Sequence, residues 1–337
     1  MGLSLEPQSP SRSTTVRQQA LKAMTLSELE SLLEKSQSSL RFLKRRLASE
    51  SPAEFMEQVL DPPIKAYRHI KEWIRHSQAE ENILEEAARD HFKSSFWSYA
   101  YPLFLVQRVR DSREGFPIAL FSYASSQAEE NLRRIRQQIE GNPFLRHLVP
   151  KNKAFVWDAG NLECSNGCSI KAYGFGSSFR GRHPKHIIID DPCKDEGTGT
   201  MSVEQQVKFF ESVIVPAAKV GSQIVVTGNP VGLLDFLVYV EANKSFKHHF
   251  YPIMDDKGRM LCPEHMDYPA FQKKCAMISA HAIASQYMLK RISSDEARFK
   301  QEWFRLYTRE QIAGKPVYKV MPIDPALNPG GDALAAV

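Results

Sequence analysis

Cysteine is scarce, five among 337 residues. The number is odd and the positions are scattered, which excludes a disulfide framework as the basis of the fold. No apolar run reaches the roughly 20 residues of a membrane helix. The opening stretch MGLSLEPQSP lacks the apolar centre of a signal peptide. A myristoylation signal at Gly2 is excluded too, because Glu6-Pro7 stands where Ser or Thr is required. A cytoplasmic protein with no membrane partner is therefore expected. No internal repeat is found. The charge excess is small, +5, which permits contact with nucleic acid without showing it.

What remains is an ordinary globular composition, 42% apolar and 25% charged, enough for one large core or two smaller ones. Cys164, Cys168, Cys262 and His265 could be assembled into a zinc site, but their spacings miss the usual ligand pairs. Ser165-Asn166-Gly167 reads better as a hairpin turn with one cysteine on each strand.

Residues 1 to about 20 are Ser-rich and polar. From Thr25 the leucines Leu26, Leu29, Leu32, Leu33, Leu40 and Leu43 form a helical stripe ending at Lys44-Arg45-Arg46. That triplet suits either a solvated helix end or a phosphate contact. Asp61-Pro62-Pro63 breaks the chain before a helix carrying Tyr67, Ile70, Trp73 and Ile74. Phe96 to Val109 is a helix with Pro102 as its kink, Phe116 to Tyr123 a buried strand, and Ala128, Leu132, Ile135 and Ile139 one face of a helix. His186 to Ile189 and Gln223 to Val226 read as buried strands among helices, so the expected fold is α/β on a mostly parallel sheet. From Cys262 to Tyr307 the chain reads as a small helical unit.

Polar residues at the C-terminal ends of such strands sit where α/β sheets bind ligands. Asp190-Asp191 ends one of them. Adjacent buried carboxylates repel, and a nucleotide-bound Mg²⁺ would resolve the conflict; an exposed acidic turn would as well. Arg89-Asp90-His91-Phe92-Lys93-Ser94 supplies a lysine for phosphates and a hydroxyl for Mg²⁺, without the glycines of a standard phosphate loop. Local propensity favours one helix from Ala79 to Ser95, whereas phosphate binding needs strand, loop and helix.

As an ordered set, these stretches resemble the large terminase subunits of tailed phages. The set comprises Arg89 to Ser94, Phe121-Ser122-Tyr123-Ala124, Gly176 to Arg182, His186 to Pro192, Thr227-Gly228-Asn229-Pro230, and Met321 to Ala326 with Gly331-Asp332. The likeness runs from about Asp61 to the end. Phe92 departs from it, since the family usually has glycine there. The resemblance implies a P-loop NTPase-type core at 61–255, a helical lid at 256–316 and the first strands of an RNase H-like nuclease at 317–337, behind a polar and helical segment at 1–60. It implies ATP and Mg²⁺ as cofactors. Lys93 and Arg89 would reach the phosphates, Ser94 and Asp190 hold Mg²⁺, and Asp191 act as catalytic carboxylate. Thr227 and Asn229 would sense the γ-phosphate, Arg180 (rather than Arg182) serve as arginine finger, and Tyr67 meet the adenine. Asp324 would be the first metal-binding acid of the nuclease, but with the chain stopping at Val337 no DNA cleavage is expected.

The function so implied is the ATP-hydrolysing motor that drives double-stranded DNA into a procapsid, in the host cytoplasm. Its partners would be the portal protein and the small terminase subunit, with several copies in a ring. Two alternatives remain open: a helicase-like translocase, and a non-hydrolysing prophage remnant that binds DNA or capsid.

Overall fold

The structure, a computed structural model, describes residues 28, 31, 32, 34–40, 43, 50–79, 81–179, 181, 183–193, 201–291, 314, 323, 324, 335 and 336. The chain forms two compact units, Met1–Ser293 and Ser294–Val337.

The first unit is built on a seven-stranded sheet of order β3-β4-β2-β5-β6-β1-β7. Its strands are β1 (Asn82–Ala87), β2 (Pro117–Ser122), β3 (Asn161–Glu163), β4 (Ser169–Gly174), β5 (His186–Asp190), β6 (Gln223–Gly228) and β7 (Phe246–Tyr251). Every pairing is parallel except β3 with β4. The expected α/β class with a mostly parallel sheet is what the chain adopts. Side chains alternate across the sheet with the two-residue period of a strand. Ile83, Leu120, Ile188 and Val225 enter one core, while Leu84, Phe121, Ile187, Ile189 and Val226 enter the other. Strands buried on both faces need this near-continuous apolar sequence.

β1 is the departure from local propensity. Asn82-Ile83-Leu84-Glu85-Glu86-Ala87 suits a helix by composition, yet it lies between β6 and β7 and pairs with both. Two ladders and two cores outweigh the small intrinsic preference of Leu, Glu and Ala. Both glutamates are buried in consequence, on opposite faces of the sheet.

The helices cover both faces. α1 (Pro52–Gln58) is capped by Ser51 and brings Phe55 and Met56 into the core that also holds Ile70, so this core takes in residues ahead of Asp61. α2 (Arg68–Gln78) starts at Tyr67 and buries Ile70, Trp73 and Ile74. Lys93 opens a helix that passes through a π-helical stretch, Ser95–Ala100, into α3 (Tyr101–Arg108). Pro102, expected as a kink, sits at this junction, where its missing N–H favours a change of winding. α4 (Ser125–Gly141) buries Ala128, Leu132, Ile135 and Ile139 as its periodicity requires. α5 (Val203–Phe209) carries a capping box from Ser202, and α6 (Phe236–Ala242) is capped by Asp235. α7 (Tyr268–Cys275) opens a helical segment over the third core, formed by Ala88, Ile253, Met266, Phe271 and Tyr287.

The Asn-Gly turn joins β3 to β4 with Cys164 and Cys168 buried at its base and Gly167 at φ 79°. Burial pushes both thiols up, which keeps them protonated. The described residues from 28 to 43 are helical, with Leu32, Leu40 and Leu43 exposed. Leu26, Leu29 and Leu33 of the expected stripe lie outside the described residues. Among the described residues no helix is long and apolar enough to cross a membrane. In the second unit, Ile323–Asp324 pairs antiparallel with Ala335–Ala336.

Candidate functional site

The C-terminal ends of β5, β6 and β1 lie side by side, and the polar residues singled out in the sequence follow them directly. Asp190 pairs in register with Thr227, and Thr227 with Glu85. A cleft of about 270 Å³ opens there, lined by Arg89, Phe92, Lys93, Ser94, Asp191 and Asn229, with Asp90 and Ser95 at its rim. Residues from three separate stretches of chain are thus gathered into one concavity.

The loop from Ala88 to Phe92 connects β1 to the helix that starts at Lys93, so strand, loop and helix occur in the order that anion binding needs. Asp90 has φ 63° and Phe92 φ 69°. Phe92 therefore holds the left-handed backbone that glycine adopts freely, at about 1–2 kcal/mol for an L-residue. Its ring is clamped by Tyr67 at 5.3 Å and His265 at 4.5 Å between centroids. The loop is tied down from above as well. Arg89 N–H donates to Gln286 O at 2.8 Å and its guanidinium to Gln286 Oε1, His265 Nε2 lies 2.9 Å from Asp90 O, and Lys274 pairs with Asp90.

Lys93 is buried, and its ammonium donates to Ala87 O at 2.7 Å and to Asn229 Oδ1. Burial lowers its pKa, while Asp191 and Asp190 oppose the shift. Asn229 Nδ2 donates to Ala87 O at 3.0 Å and Gln286 O at 2.9 Å, so the residue after β6 bridges the loop and the helical segment above it.

Asp190 lies beneath the cleft, 1% exposed. Ser98 Oγ donates to its Oδ2 at 2.8 Å, and Oδ1 has no hydrogen-bond partner. Burial, and next the charge of Asp191, raise its pKa to about 7; the Ser94 and Ser98 hydroxyls and Lys93 pull the other way. Asp191 turns outward at φ 46°, with its N–H donating to Thr227 O at 2.8 Å. The fully buried Thr227 hydroxyl is also without a partner. An orphaned carboxylate oxygen among hydroxyls is a set of hard oxygen donors, which suits Mg²⁺.

Of the residues expected at the site, Arg89, Lys93, Ser94, Asp191 and Asn229 line the cleft, and Asp190 and Thr227 lie at strand ends next to it. Tyr67 is not on the cleft wall; it stands behind Phe92. Arg180 and Arg182 lie outside the described residues, as does the side chain of Asp324. Ser98 and Gln286 escaped the sequence reading. Ser98 had a signal, four residues beyond Ser94 on the same helix face; Gln286 had none.

No family model matches the chain, and no curated protein matches it. Among solved structures it is similar to the large terminase from the thermophilic bacteriophage D6E. The form in complex with ATP-gamma-S is 11% identical with a TM-score of 0.43, and so is the form in complex with ADP. Each of these matches covers 63% of this chain and 48% of that one. A third D6E structure is 14% identical, with a TM-score of 0.40. The chain spans about half the length of these structures.

Proposed function

We propose that the cleft binds ATP with Mg²⁺ and hydrolyses it. The observation that carries this reading is that Lys93 and Asp191 line one cleft, with Asp190 buried at the strand end beside it and a helix opening at Lys93. A buried ammonium at a helix N-terminus is a place for phosphate charge. A bound Mg²⁺ would supply charge neutralisation for the phosphates. Ser94 and Asp190 would hold it, and Arg89 would reach the outer phosphates. Asp191 faces the cleft and would orient the attacking water. Asn229, tied to Lys93 and to Gln286 O, would report the state of the phosphate to the helical segment, with Thr227 beside it.

The ordered resemblance of the motifs to large terminase subunits favours a DNA-packaging motor. It would act on double-stranded DNA, in several copies, with a portal and a small subunit as partners. Residues 61–255 would form the motor core, 256–316 its lid and 317–337 the start of a nuclease. Arg180 would act on a neighbouring copy's nucleotide and Asp324 in the nuclease. Phosphate release measured with DNA tests the reading. Turnover in wild type, lost by several orders of magnitude in Lys93→Ala, is expected. Absence of turnover in wild type would instead favour the non-hydrolysing remnant, for which Phe92 in place of glycine is the supporting feature.

A further inference from the structure

A second cavity, of about 590 Å³, adjoins the phosphate cleft and shares Asp90, Phe92 and Ser95 with it. The two differ in character. The smaller is walled by Arg89, Lys93, Ser94 and Asp191, whereas the larger adds Met266, Ala270 and Met277 to Phe92, with Lys273 and Lys274 beside them. Its volume lies in the range of small-molecule sites. Met277 is 75% exposed there, a large apolar side chain left in water at a cavity mouth.

Phe92 links the two. A glycine would take its backbone without strain, so what the phenylalanine adds is the ring. That ring is held by Tyr67 and His265, and the half-buried residue lines both cavities. An aromatic ring fixed in this way, with soft thioether neighbours, suits a flat π system.

We propose that this second cavity holds the nucleobase of the nucleotide whose phosphates occupy the first, with Phe92 as its stacking platform and Met266 and Met277 as its apolar walls. The proposal rests on the reading of the cleft as a triphosphate site. Tyr67, expected from the sequence to meet the base, becomes the ring that backs the platform. Asp90 and Ser95 mark the junction where the sugar would cross.

The test compares two ligands of the full chain by calorimetry, MgATP and magnesium tripolyphosphate, which share the phosphates and differ in the nucleoside. Wild type is expected to bind MgATP at least tenfold more tightly, since stacking of one base is worth about that factor. Phe92→Gly, which removes the ring and relieves the backbone, should bring the ratio of the two affinities towards one. Met277→Ala, an exposed position that does not threaten folding, should lower the ratio in the same direction. A wild-type ratio near one, or a ratio unmoved by both variants, overturns the base site and leaves the phosphate site standing. Failure of wild type to bind either ligand overturns the phosphate site itself.

Discussion

A carboxylate at the end of a strand with three buried isoleucines is costly to keep charged, and Asp190 shows how the cost is distributed. Burial lifts its pKa to about 7, against roughly 3.9 in an unfolded chain. A raised folded pKa means that the folded state holds its proton longer. The side chain's contribution to stability is therefore full below about pH 4 and is lost as pH rises through about 7. Asparagine at this position fills the same space and does not titrate. In protein free of magnesium and nucleotide, the stability of Asp190→Asn relative to wild type should rise by on the order of 2–3 kcal/mol between pH 5 and pH 8. Denaturant titrations at the two pH values measure it. A difference that stays flat would show that Asp190 is ionised throughout. With the proposed chemistry the same variant should lose magnesium-dependent turnover, and the residue that weakens the empty fold would be the one that chemistry needs. Phe92 follows the same pattern, a strained backbone kept at a cleft.

Elements decide how such residues meet, and here the sequence was legible in parts. β2, β5 and β6 were readable because each is a short β-branched or aromatic run with turn residues after it, and α4 because its apolar positions recur at helical spacing. β1 was not, because its fate is set by partners 142 residues away in β6 and 164 away in β7, which no local window contains. The loop from Arg89 to Ser94 was legible as residue types and order, but its geometry depends on β1 being a strand. Asp190's partner was half legible. Ser94 and Ser98 share one face of the helix after the loop, and the π-helical winding, with Tyr101 N–H donating to Phe96 O, buries Phe96 and Trp97 beside them. Ser98→Ala would strip a buried carboxylate oxygen of its hydroxyl donor. A loss of roughly 1–3 kcal/mol at pH 8 is expected, and less at pH 5, where Asp190 carries a proton. Urea unfolding at both pH values separates this from a packing defect, which would cost the same at each.

Across the whole first unit, a charge cluster on β1 gathers distant parts of the chain. Glu86 on β1 has a fully buried side chain; Arg291 donates to its Oε1 at 2.8 Å and also pairs with Glu241 on α6 at 3.1 Å, while His248 on β7 lies 2.9 Å from Glu86. The ligand atoms of Glu86, Glu241 and His248 fall within 4.8 Å of one another, close enough for a cation. The Arg291 guanidinium already supplies positive charge there, with a planar fork suited to two carboxylates. Such a pair adds little stability over an apolar substitute, but breaking it strands a charge in the interior. Arg291→Ala should therefore cost roughly 3–5 kcal/mol, far more than an exposed ion pair. Glu86→Gln made together with Arg291→Ala should recover a good part of that loss, since the stranded charge is gone. A double-mutant cycle by chemical denaturation measures the coupling. Were the two losses simply to add, Glu86 and Arg291 would be uncoupled, and Arg291 would be held by Glu241 alone.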